Sequence, residues 1–175
     1  MRIRSKKGIS LVELIAVCAI SVMVIAAACA LLYAASKSAA RGTAEAAGHG
    51  DAHLLETYLQ SGLPTALSVG GEEPDAADGD VTALSFGDGG ELVVETNGGT
   101  RQFIDGIQSV TLSLSPAGGN GRLSYSILAG SESGSYTLSG GIVLNNVRQS
   151  SGGPWTLAPD SGQAFYFVKE ASEGG

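Results

Sequence analysis

The feature that most constrains this chain is an apolar run near its start, residues 9–36, in which the only charged side chain is Glu13. Its 28 residues are mostly Ala, Val, Ile and Leu. As an α-helix the run would measure about 42 Å, at roughly 1.5 Å per residue. Because the hydrocarbon core of a bilayer is about 30 Å thick, the run predicts a single transmembrane helix.

The cations that flank the apolar run are distributed unevenly. Four precede it and two follow it closely: Arg2, Arg4, Lys6 and Lys7, then Lys37 and Arg41. Cytoplasmic flanks of transmembrane helices are enriched in Lys and Arg, so we expect the N-terminus in the cytoplasm and the chain after residue 36 outside. The sequence therefore predicts a single-pass cell-membrane protein with an external domain.

The predicted external part, residues 37–175, is acidic and lacks cysteine. It has six Lys or Arg against 16 Asp or Glu, a net charge of −10. Nucleic-acid binding requires cations that contact phosphates, so we expect no direct nucleic-acid partner. Both cysteines, Cys18 and Cys29, lie in the apolar run. The external part therefore needs a hydrophobic core, since disulfides cannot hold it together.

The residues after the apolar run predict that the helix continues to residue 62. Residues 37–62 are rich in Ala, Glu and Leu and lack proline, which favours a helix. Gly48 and Gly50 each disfavour a helix interior by about 1 kcal/mol relative to Ala, which predicts a kink or a loosened turn there. Gly62 and Pro64 then predict the end of the helix.

Beyond an acidic connector, residues 63–80, the apolar period changes to two. Alternating or β-branched runs occupy residues 81–86, 91–96, 100–104, 107–115, 121–129, 135–144 and 164–168. Glycine-rich turns separate most of them, a pattern typical of antiparallel strands. We predict an α+β fold, in which a long N-terminal helix, half transmembrane, packs against an antiparallel β-sheet domain over residues 81–169. Residues 150–154 and 170–175 are predicted to be loose.

The acidic connector is a candidate calcium loop. Asp75, Asp78 and Asp80 follow Glu72 and Glu73, and calcium prefers carboxylate oxygens as ligands, although the spacing differs from that of an EF-hand. A solvated acidic loop is the alternative interpretation. We expect no resident cofactor.

His49 and His53 are four residues apart, with Asp51 between them and Glu56 beyond. A helix would bring both imidazoles to one face, but catalytic zinc needs a third ligand and a general base, and the HExxH pattern is absent. We therefore expect solvated helix residues here. The sheet region has no histidine that can serve as the base of a serine triad, and the sequence predicts that the chain is not an enzyme.

The start of the apolar run resembles the leader region of type IV prepilins and pseudopilins. The residues that carry the resemblance are Lys6-Lys7-Gly8-Ile9-Ser10-Leu11-Val12-Glu13-Leu14. In the family pattern a short basic leader ends in Gly, and an aromatic or aliphatic residue, a small polar residue, two aliphatics, Glu and Leu follow. Gly8 and Glu13 match the family's glycine and glutamate, whereas Ile9 departs from the commoner Phe. The motif covers residues 6–32 and the similar layout covers residues 1–60.

The resemblance implies a pilin-like fold, processing and assembly. A prepilin peptidase would remove residues 1–8 by cutting between Gly8 and Ile9, and would N-methylate Ile9. An inner-membrane assembly platform would then stack the subunit with other pilin subunits. Glu13 would pair with the new ammonium of a neighbour's Ile9, since each charge alone is costly in apolar surroundings. The alternative is that Glu13 reaches the membrane surface without a partner.

These features predict a structural subunit of a type IV pilus, a secretion pseudopilus or a competence pilus, in a filament at the cell surface or in the periplasm. The 26 glycines and the absence of cysteine outside the apolar run favour a minor or priming subunit. The alternative function is an uncleaved single-span protein that displays a β binding domain. In that case Trp155 would be an exposed anchor for a partner, whereas otherwise it would cover the core.

Overall fold

The computed structural model describes residues 10–74, 79–97, 99–117, 120–131, 133–147, 149–151 and 153–170. The chain divides into two compact units, Met1–Ala40 and Arg41–Gly175. Helix α1 (Leu11–Gly62) contributes residues to both units. It is followed by a short 3₁₀ helix, Leu63–Thr65, where Pro64 lacks the N–H that would continue the α-helical ladder. The predicted helix end at Gly62 is confirmed.

α1 is continuous through Gly48 and Gly50, so the helix is not interrupted where a kink or a loosened turn is predicted. The physical reason is packing at Gly48. A Cβ built on this residue would lie 3.0 Å from backbone atoms of Ala129 and Gly130. The missing side chain therefore allows α1 to approach a neighbouring strand closely, and this packing offsets the low helix propensity of glycine.

Ten strands in the described part of the chain form two sheets. They are β1 (Ala66–Gly70), β2 (Asp80–Phe86), β3 (Leu92–Thr96), β4 (Thr100–Ile104), β5 (Ile107–Ala117), β6 (Asn120–Ser131), β7 (Gly134–Leu144), β8 (Gln149–Ser151), β9 (Trp155–Leu157) and β10 (Ala164–Lys169). The six-stranded sheet has the order β4-β3-β2-β10-β1-β8, and the four-stranded sheet has the order β7-β6-β5-β9. The predicted α+β class, with a long helix packed on antiparallel sheets, is confirmed.

Three details of the predicted sheet need correction. The β domain begins at β1, inside the segment predicted as the connector 63–80. β8 lies partly in the segment predicted to be loose, and it pairs with β1 in parallel. The single predicted antiparallel sheet is two sheets, one of which contains this parallel pair. These strands escape sequence analysis because they are short and are stabilised by distant partners.

The core is built from α1 and both sheets. Ala52, Leu55 and Leu59 recur at spacings of three and four residues, and all are fully buried, as on the inner face of an amphipathic helix. They belong to one cluster with side chains of both sheets, among them Leu84, Leu112, Leu123, Ile127, Phe165 and Phe167. Burying one leucine contributes about 1.5–3 kcal/mol, so this stripe holds the second half of α1 on the β domain.

Candidate functional site

The apolar half of α1 exposes large side chains on every side. Consecutive helical residues point about 100° apart, and exposed apolar residues occur in adjacent groups: Leu11 and Val12, Leu14 and Ile15, Val22 to Ile25, and Leu31 to Tyr33. An 18-residue window of this half has 0% of its residues buried, and α1 is the one helix of the described residues long and apolar enough to span a membrane. A helix that lies flat on a membrane would keep a polar face, which this half lacks.

Glu13 lies in the first turn of α1 and is exposed. The free N–H groups of a first turn carry partial positive charge, so a carboxylate is favourable there. The next charged residue along the chain is Lys37, about 36 Å away at roughly 1.5 Å per residue. Glu13 therefore lies at one end of an uncharged helical stretch that exceeds the hydrocarbon core, about 30 Å thick.

The residues of the predicted processing site lie outside the described part of the chain. They are Gly8 and Ile9, at the predicted cut, and the leader cations Arg2, Arg4, Lys6 and Lys7. Cleavage, methylation and the pairing of Glu13 with the Ile9 ammonium therefore stay predictions.

The predicted calcium loop is described only in part, since Asp75 and Asp78 lie outside the described residues. Asp80 begins β2, where its Oδ1 accepts a hydrogen bond of 2.9 Å from Nδ2 of Asn97. Oδ1 of Asn97 accepts another, also 2.9 Å long, from the N–H of Val81. Asp80 and Asn97 thus fix the start of β2. No group of three His, Cys, Asp or Glu side chains suited to a metal ion occurs among the residues described, and calcium binding stays a hypothesis.

A polar cluster joins the second half of α1 to the four-stranded sheet. The Tyr125 hydroxyl on β6 donates a hydrogen bond to Oε1 of Glu56, and Oε2 of Glu56 lies 2.9 Å from Nδ1 of His53. The ring centroid of His53 is 4.4 Å from that of His49, which is 4.7 Å from that of Tyr136 on β7. We call these five residues the histidine cluster.

Tyr125 reaches Glu56 because glycine stands opposite it. Gly140 is the partner of Tyr125 in the β6–β7 register, and a Cβ built on Gly140 would lie 2.2 Å from the Tyr125 hydroxyl oxygen. Burial raises the pKa of Tyr125 above its usual range, and the hydrogen bond to Glu56 raises it further. The hydroxyl therefore keeps its proton and acts as a donor at neutral pH.

The histidines of the cluster are exposed, as expected of solvated helix residues, but His53 also contacts Glu56 and His49 also contacts Tyr136. The helical spacing of His49 and His53 is visible in the sequence, but the two tyrosines are not predictable from it, since they lie on strands distant along the chain. One signal that points to Tyr125 is Gly140, because glycine in a strand interior often marks a close approach by another group.

Trp155 covers part of the core. It is 6% exposed, and its ring meets that of Phe165 edge-on, with 5.1 Å between centroids. Its indole also packs so closely on Gly71 that a Cβ there would lie 2.7 Å from Nε1. The alternative in which Trp155 is an exposed anchor for a partner is therefore wrong.

The function of the chain has to be inferred from its own residues. Comparisons with models of protein families, with curated proteins and with solved structures gave no match.

Proposed function

We propose that this chain is a pilin-like structural subunit that assembles through the apolar half of α1. The observation that carries the proposal is the division of this helix. Large apolar side chains between residues 11 and 33 are exposed on every side, whereas Ala52, Leu55 and Leu59 are buried in the core of the β domain. One helix thus combines an anchor for lipid or neighbouring helices with a firm attachment to a folded domain.

The proposed assembly moves the anchor from lipid into a bundle of equivalent helices. Both surroundings are apolar, so moving the exposed side chains of residues 11–33 from one to the other changes their solvation free energy little. Close packing then decides the energy of association, and small residues allow it. Residues 26–30 read Ala-Ala-Ala-Cys-Ala, which gives neighbouring helices room to approach.

Glu13 is the proposed register element. Cutting between Gly8 and Ile9 creates an ammonium group that is absent from the precursor, and N-methylation preserves its charge. A carboxylate and an ammonium buried apart from each other are both costly, and pairing offsets that cost. Only the axial stagger that brings Glu13 beside a neighbour's Ile9 is then favourable.

The proposal implies a location and partners. The chain is a single-pass membrane protein with a cytoplasmic N-terminus, and its β domain faces outward. Its partners are membrane lipid, a prepilin peptidase, an inner-membrane assembly platform and other pilin subunits, among which this chain is a minor or priming member. The machine is a type IV pilus, a secretion pseudopilus or a competence pilus.

Processing is tested by expressing the chain with and without a prepilin peptidase and measuring the intact mass. We expect the peptidase to remove residues 1–8 and to add one methyl group. Gly8→Ala should block the cut, whereas the control Gly42→Ala should be processed like the wild type, since Gly42 is far along α1 with nothing within 4 Å of an added Cβ. An unchanged mass in the presence of active peptidase would favour the uncleaved, domain-displaying alternative.

Assembly is tested by the fraction of the chain recovered in sheared filaments. Glu13→Val should be processed but should enter filaments poorly, because the ammonium of its neighbour loses its partner. Ile15→Val, a mild change two residues away, should enter normally. Recovery of Glu13→Val at the wild-type level would exclude the register role.

A further inference from the structure

The histidine cluster presents two imidazoles to solvent one helical turn apart. His49 and His53 have ring centroids 4.4 Å apart, with 56° between the ring planes. Two nitrogen ligands of one tetrahedral metal ion, each at about 2.0–2.1 Å, are about 3.3 Å apart. The two rings are therefore close enough for one nitrogen of each to reach the same ion after side-chain rotation.

The rest of the cluster holds His53 in an orientation suited to a ligand. Its Nδ1 lies 2.9 Å from Oε2 of Glu56, and the side chain of Glu56 is only 17% exposed whereas that of His53 is 46% exposed. When Nδ1–H donates to this carboxylate, Nε2 carries the free lone pair. Metal-binding histidines are typically oriented by such a carboxylate, which also raises their basicity.

Glu56 is itself fixed from the sheet side. Its other oxygen accepts the hydrogen bond of Tyr125, whose side chain is buried. On the other side of the pair, the His49 ring lies against Tyr136, at 4.7 Å between centroids. Strands that pack on α1 therefore limit the movement of both imidazoles. A histidine pair on an isolated, solvated helix would have no such restraint.

We propose that His49 and His53 form a binding site for a divalent transition-metal ion such as Zn²⁺, with Glu56 as the residue that positions His53. Imidazole nitrogen suits Zn²⁺, Ni²⁺ and Cu²⁺, whereas Ca²⁺ and Mg²⁺ require oxygen ligands. Since the described residues offer two ligands here and no group of three, the remaining coordination positions belong to water or to a donor from outside. The site does not depend on the pilin-like function.

The test is calorimetric titration of the full chain in detergent micelles with Zn²⁺, after removal of metal by a chelator. Cys18 and Cys29 are free thiols and can bind zinc themselves, so all measurements use a Cys18→Ser/Cys29→Ser background. We expect one Zn²⁺ per chain at this site, and an excess of Ca²⁺ should not displace it. His49→Gln and His53→Gln should each weaken binding at least tenfold, and Glu56→Gln should weaken it by about 10–100-fold.

Asp51→Asn is the matched control. Asp51 lies between the two histidines in sequence but faces Gly106, where an added Cβ would be 2.4 Å from its Oδ2. This variant should bind Zn²⁺ like the background. The proposal is overturned if the His49→Gln/His53→Gln double variant binds Zn²⁺ as tightly as the background, or if Ca²⁺ displaces Zn²⁺ from the background protein. Unchanged affinity in Glu56→Gln, with circular dichroism showing an intact fold, would overturn the positioning role of Glu56.

Discussion

Replacing Gly48 by Ala tests the close approach of α1 to β6. In an isolated helix this substitution would stabilise the helix by about 1 kcal/mol. In the folded chain the new Cβ would lie 3.0 Å from the carbonyl carbon and oxygen of Ala129 and from Cα of Gly130. These are backbone atoms of a paired strand, which cannot rotate away as a side chain would. Overpacking of this kind costs about 1–3 kcal/mol.

Gly50→Ala is the matched variant, because it has the same chemistry two residues further along the same helix. A Cβ built on Gly50 has nothing within 4 Å, so the variant should gain the full helix propensity, about 1 kcal/mol. The difference in unfolding free energy between the two variants is then the overpacking cost, about 1–3 kcal/mol. Gly50→Ala should be the most stable protein of the series, and Gly48→Ala should be no more stable than the wild type.

The assay is unfolding of the full chain in detergent micelles, followed by the fluorescence of the single tryptophan. Trp155 is buried against Phe165, so its emission reports on the core of the β domain. For a unit of this size, a change of about 1 kcal/mol in the unfolding free energy shifts Tm by about 4 °C. If both variants raised Tm equally, the approach of α1 to β6 at Gly48 would be looser than described, and the reasoning would fail.

Two further changes test the core and the charge distribution around α1. Leu55→Ala removes a fully buried side chain and should lower the unfolding free energy by about 2–5 kcal/mol, whereas Leu54→Ala, at a residue 58% exposed, should change it by less than about 0.5 kcal/mol; urea midpoints compare them. Burial, followed by the negative charge of Asp105, raises the pKa of Asp51 above its usual value of 3.8. The negative charge of Asp51 therefore lowers the stability of the folded state at pH values above the raised pKa. This loss of stability decreases as the pH falls through the raised pKa, and it is absent below pH 3.8. Asp51→Asn should accordingly raise Tm at about pH 7 and leave it unchanged at about pH 2.5, and equal shifts at both pH values would contradict this reasoning.

The parts of the fold that are predictable from sequence are those specified locally. β4 (Thr100–Ile104) occupies the predicted residues, because alternation and flanking glycine turns are short-range signals. β1 (Ala66–Gly70) lies in the segment predicted as a connector. It is missed because it pairs with β10, about a hundred residues later in the sequence. β8 and β9 have three residues each, too few to display a period.

The candidate sites also differ in how much of each can be predicted from the sequence. The apolar half of α1 and the place of Glu13 at its start follow from hydropathy, which each residue carries regardless of its neighbours. The histidine cluster depends on the contact of α1 with β6 and β7, so only the helical spacing of His49 and His53 is visible in advance. Gly48 illustrates the same limit. Its low helix propensity predicts a weakened helix, and its packing against the backbone of Ala129 cannot be read from the sequence.

The position of β10 has a consequence for how the chain is made. β10 (Ala164–Lys169) follows the other strands in sequence, yet it pairs with both β1 and β2 inside the six-stranded sheet. Until the ribosome has passed residue 169, β1 and β2 each keep an open edge and the core lacks Phe165 and Phe167. The six-stranded sheet therefore cannot close before β10 has been synthesised. In this fold the strand made last among the described strands is therefore the one that joins β1 to β2 within the six-stranded sheet.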